Sequence, residues 1–169
     1  MKYKLFLTFT LLMMVNICSG QKSSVWDKWN WLTGEWRGEG SGEPGSGGGT
    51  FSFSFDLDSN VMVRKSHSEY PSAAGKSVVI HEDLMIIYRD FTGSPDKAIY
   101  FDNEGHTISY TISFSEMEIV LTSDKVPNSP VFRLVYSLID AETVNTKFEF
   151  SQDGEKFSTY IEGTSKKTK

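Results

Sequence analysis

The chain holds a single cysteine, Cys18, among 169 residues. With no second thiol there is no internal disulfide, so the fold rests on its apolar core. Basic residues are also short: 17 Lys and Arg face 22 Asp and Glu, for a net charge of −5. The one basic cluster is Lys166, Lys167 and Lys169 at the end, so there is no stripe for a phosphate backbone and no nucleic-acid partner is expected. Histidine occurs three times, at His67, His81 and His106. No two of these stand at i, i+2 or i, i+4, so the convergent spacing of a metal site is missing. Serine-hydrolase motifs and zinc-binding helices are absent. The glycines of 45–49 lack the lysine and following helix of a phosphate loop. The sequence therefore implies no cofactor and no metal.

One long apolar run is present, at the N-terminus. Lys2 and Lys4 precede an apolar stretch over 5–15, broken only by Thr8 and Thr10, and Cys18, Ser19 and Gly20 follow. This is the layout of a secretory signal peptide over 1–20, too short and wrongly flanked for a stable membrane span. Asn16 and Ile17, directly before Cys18, do not match a lipidation signal. The expectation is a periplasmic or secreted bacterial protein with one domain over 21–169 and no stable membrane span after cleavage. That domain loses Cys18, and with it thiolate ligands and a cysteine nucleophile. A chain of ~150 residues buries roughly two-thirds of its unfolded surface, enough to fold without staples.

Beyond residue 24 the punctuation is regular. Ser24 and Asp27 read as a capping box opening a helix over about 25–32, with Trp26, Trp29 and Leu32 on its apolar face. One short helix cannot bury such a face alone, so it is expected to plug something. Gly34 stops it in a conformation that glycine takes cheaply. From there the period is two. Trp36, Gly38, Gly40 and Gly42 alternate with polar residues, and the loop 43–49 leads into the cleanest strand, 50–57, with Phe51, Phe53, Phe55 and Leu57 on one side. Strand patterns follow over 61–70, 78–89, 97–102, 107–114, from 116, 131–139, 144–152 and 156–164, separated mostly by turn residues. No crossover helix is available for parallel pairing. The expected fold is all-β: a single up-and-down antiparallel β-barrel of about ten strands with a short N-terminal helix plugging one end. An aligned sandwich of two sheets is the alternative.

The run Trp31-Leu32-Thr33-Gly34-Glu35-Trp36-Arg37-Gly38-Glu39-Gly40 resembles the opening of calycin barrels, the superfamily of lipocalins, fatty-acid-binding proteins and nitrobindin-like domains. It is most similar to the nitrobindin-like group and to uncharacterised exported bacterial barrels. The resemblance implies that Trp36 closes the barrel floor and that a basic residue of the last strand, Lys166 or Lys167, lies over it. It implies haem only where a histidine stands near the C-terminus, and here 131–164 has none.

The candidate ligand-binding residues are Trp36, Arg64, His67, Tyr88, Tyr100, Tyr110 and Tyr136. Tyrosine hydroxyls inside a barrel need partners, and a ligand can supply them. Arg64 is flanked by Met62 and Ser66 on one phase and Val61 and Val63 on the other, so the pattern leaves its direction open. Pointing inward, it would meet an anionic headgroup, as the resemblance to fatty-acid-binding barrels implies. Asp102 to His106 reads as a hairpin turn, and His81, Glu82 and Asp83 as a solvated strand end. The expected function is binding of a small apolar or amphipathic ligand by an exported barrel. The alternatives are an isomerase or hydrolase using His67, His106 or Glu104, and a haem binder using another histidine.

Overall fold

A computed structural model of the chain describes residues 24–40, 48–71 and 78–169. The expected signal peptide lies outside the described residues, as do most of the glycine loop and the 72–77 connection. Ten strands follow one another: β1 Gly34–Gly38, β2 Thr50–Asp56, β3 Val61–Pro71, β4 Val78–Tyr88, β5 Lys97–Asp102, β6 Thr107–Phe114, β7 Glu118–Ser123, β8 Val131–Asp140, β9 Thr143–Ser151 and β10 Ser158–Lys167. Each pairs antiparallel with the next, and β1 pairs with β10 to close a barrel. Closure removes both free edges of what would otherwise be an open ten-stranded sheet. The sandwich is thereby set aside.

Alternation decides what faces the interior. Tyr110 and Ile112 of β6 are buried while Thr111 and Ser113 are exposed, and Ile119, Leu121 and Ser123 of β7 are buried in turn. Register carries the inward phase from strand to strand: Phe53 opposes Arg64, Arg64 opposes Met85, and Met85 opposes Tyr100. The outward phase carries charge, as in the Arg133–Glu149 pair at 2.6 Å between β8 and β9. Among the described residues no helix is long and apolar enough to cross a membrane.

The expected helix over 25–32 is instead a six-residue 3₁₀ helix, Asp27–Leu32. The reason is legible in its spacing. Trp26, Trp29 and Leu32 recur every third residue, and three residues per turn stacks them on one line where an α-helix would rotate each off the last. All three are at most 3 % exposed. Trp29 packs on Phe53 and Phe114 at one end of the barrel, with ring centres 6.2 and 5.6 Å away. The indoles are satisfied by carbonyls: Trp26 Nε1 donates to Ser59 at 2.8 Å, Trp29 Nε1 to Pro95 at 3.3 Å and Trp36 Nε1 to Leu32 at 2.9 Å. The expected capping box with Ser24 as N-cap is only half formed: Ser24 N–H donates to the Asp27 carboxylate, but the Ser24 hydroxyl accepts Trp26 N–H, and the N-cap is Trp26, without a side-chain cap bond.

Gly34 begins β1 at φ +113°, where an added Cβ would lie 2.2 Å from the Lys169 carbonyl oxygen. Only a residue without a side chain lets the C-terminus lie there, and Glu35 N–H donates to that same carbonyl.

Candidate functional site

The interior is apolar at the 3₁₀-helix end and becomes polar toward the other end along three neighbouring strands. On the inward phase β3 runs Met62, Arg64, Ser66; β4 runs Ile87, Met85, Asp83, His81; β5 runs Ala98, Tyr100, Asp102. The wall built by β6 to β9 is largely apolar, with Ile108, Leu134 and the stacked rings of Phe132 and Phe148, 5.7 Å apart. Ile108, Phe132 and Phe148 are only partly buried, so that wall offers apolar surface not fully covered by the protein.

Arg64 is the centre of the polar side. It is 7 % exposed and forms an ion pair with Asp83, and its guanidinium lies 5.7 Å from the centre of the Phe51 ring. Burial by itself would favour loss of its proton, but Tyr136, Asp83 and Tyr100 outweigh this and hold it firmly charged. Tyr136 is fully buried, wedged against Phe51 and Phe53 at 5.9 and 5.4 Å. Burial pushes its hydroxyl up to about 12, against the opposing pull of Arg64. Thr146 opposes Tyr136 directly across β8 and β9. Four buried side-chain atoms among the described residues make no well-aligned hydrogen bond, and three are in this group: Arg64 Nε, the Tyr136 hydroxyl and the Thr146 hydroxyl. The Arg64 guanidinium stands close enough to the Tyr136 hydroxyl for a weak, poorly aligned one.

A second network leads from this group to the rim. The Tyr100 hydroxyl donates to Asp102 at 3.3 Å and lies 3.2 Å from His81 Nε2, while His81 Nδ1 lies 3.2 Å from Glu104. Burial drives the Tyr100 hydroxyl well above its ordinary value, and the Asp83 and Asp102 charges add to this. Asp102 also organises the β5–β6 turn. It accepts the Glu104 and His106 N–H groups and His106 Nδ1, the last at 2.8 Å. Burial acts to raise the Asp102 carboxyl, but the hydrogen bonds from His106 and Glu104 bring it below the usual range. Asn103 fastens the same turn to β4, donating to the Ile80 carbonyl and accepting Glu82 N–H.

Of the seven candidate residues, Trp36, Arg64, Tyr100, Tyr110 and Tyr136 face the interior, and Tyr110 and Trp36 are packed into the core. His67 and Tyr88 do not join them. The β3 phase set by Met62 and Arg64 puts His67 outside, between Glu69 at 3.1 Å and Glu82 at 3.2 Å. The β4 phase set by Met85 and Ile87 likewise turns Tyr88 outward, opposite Lys97. His67 borders a groove of about 710 Å³ along β1 to β5, lined by charges of both signs including Glu35, Arg37, Lys65 and Glu82 and reaching the inward-phase Ser66, Asp83 and Asp102. Glu104 and His106 lie 4.0 Å apart on the exposed turn, outside the interior. Lys167, not Lys166, is the basic residue over Trp36, its Nζ 5.2 Å from the ring centre.

Sequence reasoning missed the inward placement of His81, Asp83, Asp102 and Thr146. A signal for the first three was there. Stepping back by two from Ile87 and Met85 reaches Asp83 and His81, and stepping on by two from Ala98 and Tyr100 reaches Asp102. An apolar stripe that turns polar toward one end marks a wet lumen mouth as well as it marks a solvated strand end. Among the described residues no three His, Cys, Asp or Glu side chains are grouped to hold a metal ion. No protein-family model matches the chain, and no curated protein matches it.

Proposed function

We propose that the protein is an exported, calycin-like barrel that binds one small amphipathic molecule in its lumen. The observation that carries this reading is the cluster of buried groups without a well-aligned hydrogen bond at Arg64 Nε, Tyr136 and Thr146. Leaving a buried polar group unpaired costs about 1–3 kcal/mol each, and native folds rarely keep several in one place without a reason. A ligand with a polar end supplies the missing partners, and the partly covered apolar wall of Ile108, Phe132 and Phe148 receives its body. Ten strands enclose a wider interior than the eight that side chains alone fill. The opening run from Trp31 to Gly40 supports the calycin likeness, and the signal-like pattern over 1–20 supports export.

The test is a titration with N-phenyl-1-naphthylamine, an uncharged amphipathic dye that brightens in apolar surroundings. The reading predicts saturable binding of one dye per chain, weakened several-fold in Tyr136→Phe and unaffected in His67→Ala on the outer face. Absence of saturable binding, or equal binding by the Tyr136→Phe chain, overturns it.

A further inference from the structure

Resting on the lumen reading above, we infer that the polar end of the ligand is an uncharged hydrogen-bonding group, a carbonyl or hydroxyl, and not a carboxylate or phosphate. An inward arginine in a barrel invites an anion, but this one is already matched. Asp83 pairs with Arg64, and the Asp83 side chain is only 6 % exposed. Asp102 stands directly opposite Asp83 across β4 and β5, its side chain 4 % exposed. The inward fixed charges of β3 to β5 are thus one guanidinium and two carboxylates, while a further cation, Lys167 on β10, is held over the Trp36 ring. His81 lies 3.8 Å from Asp83, and Glu104 and His106 stand beyond at the rim.

An anionic headgroup entering here meets two carboxylates where water screens little. It gains Arg64 only by turning out Asp83, which leaves a buried carboxylate unpaired. The groups with spare hydrogen-bonding capacity have a different character. Arg64 Nε–H is a single donor, and the Tyr136 and Thr146 hydroxyls each donate or accept. That set matches the two lone pairs of a carbonyl, or a hydroxyl that gives one bond and takes one. It falls short of the roughly four acceptor sites of a carboxylate.

The experiment compares methyl dodecanoate with dodecanoate as competitors for bound N-phenyl-1-naphthylamine at pH 8, both below the concentration at which they aggregate. The two share chain and carbonyl and differ in charge. The inference predicts that the ester displaces dye at least tenfold more tightly than the acid. It further predicts that Asp83→Asn, which frees Arg64, reverses the order by raising affinity for the acid and leaving that for the ester nearly unchanged. Equal or tighter binding of the acid by the native protein overturns the inference while leaving the lumen reading intact. Displacement by neither competitor overturns the lumen reading itself. If Asp83→Asn does not fold, the matched pair on the native chain still decides.

Discussion

Lys167 and Trp36 oppose one another across the β1–β10 seam, and the Lys167 ammonium stands 5.2 Å from the centre of the indole ring. The seam is where the first and last strands meet, so this contact joins the two ends of the chain at the point of closure. Trp36 also donates its indole N–H to the Leu32 carbonyl at 2.9 Å, tying the 3₁₀ helix to the same spot. Trp36→Phe removes the indole donor and only weakens the cation–π contact, and is expected to cost about 1–3 kcal/mol of unfolding free energy, chiefly from the buried Leu32 carbonyl left unpaired. Lys167→Met keeps the aliphatic stem and loses only the charge, for about 0.5–1 kcal/mol. Urea unfolding of the two variants measures both, and equal losses would contradict this division.

The plug makes a larger claim. Trp29 is fully buried between Phe53 and Phe114, so Trp29→Ala opens a cavity at the barrel end. The expected loss is about 3–5 kcal/mol, read by the same unfolding measurement. A loss below 1 kcal/mol would show the 3₁₀ helix to be a loosely attached appendage.

Backbone strain gives two substitutions of opposite sign. Leu57 sits at φ +49° and is 67 % exposed, the first of three consecutive left-handed residues through Ser59. Leu57→Gly relieves a conformation that costs an L-residue about 1–2 kcal/mol and gives back part of that as unfolded-chain entropy, for a net gain of up to about 1 kcal/mol. Gly34→Ala drives a Cβ onto the Lys169 carbonyl at a positive φ and is expected to lose more than about 1 kcal/mol. Melting temperatures should therefore move in opposite directions.

How much of this was legible follows from where alternation is clean. β5 and β6 occupy 97–102 and 107–114 as the pattern predicts, because one face of each is apolar and the other polar. The four apolar residues 84–87 of β4 carry no alternation, so the phase of Tyr88 was not readable there. Arg64 sits between valines that are half-buried on the outside and Met62 that is fully buried within. Register with Phe53 and Met85 decides its direction, and register is a property of the sheet and not of the strand. The plug was misread because a three-residue apolar spacing fits the i, i+3 rule of an α-helix as well as the repeat of a 3₁₀ helix. The under-satisfied trio is invisible in sequence for a similar reason: Tyr136 and Thr146 meet through the β8–β9 register, and Arg64 of β3 reaches Tyr136 only across the closed barrel.

The Asp102–His106 pair gives a pH dependence. Its hydrogen bond to Asp102 raises the His106 value above the ordinary 6.5. That contribution is therefore fully present below 6.5 and fades as pH rises through the folded value. Asp102, lowered from 3.8, contributes above that value and fades as pH falls below it. The two overlap between about pH 4 and 6.5. His67 between Glu69 and Glu82 is raised in the same direction, so total stability does not isolate the turn. The difference between native protein and His106→Gln does: the melting-temperature gap should be wider at pH 5.5 than at pH 8.5. A constant gap would contradict the pairing.

The measurement that bears most directly on a lumen built for a ligand is made on Tyr136→Phe, in paired urea unfolding and dye titration. A buried hydroxyl with only a poorly aligned contact to Arg64 costs stability in the empty protein, a cost that a ligand bonding to it offsets. The account predicts a variant more stable than the native chain by about 1 kcal/mol without dye, and several-fold weaker in binding it. A variant that is less stable and binds the dye as tightly as the native chain would contradict it, making Tyr136 a structural residue of a self-filled core.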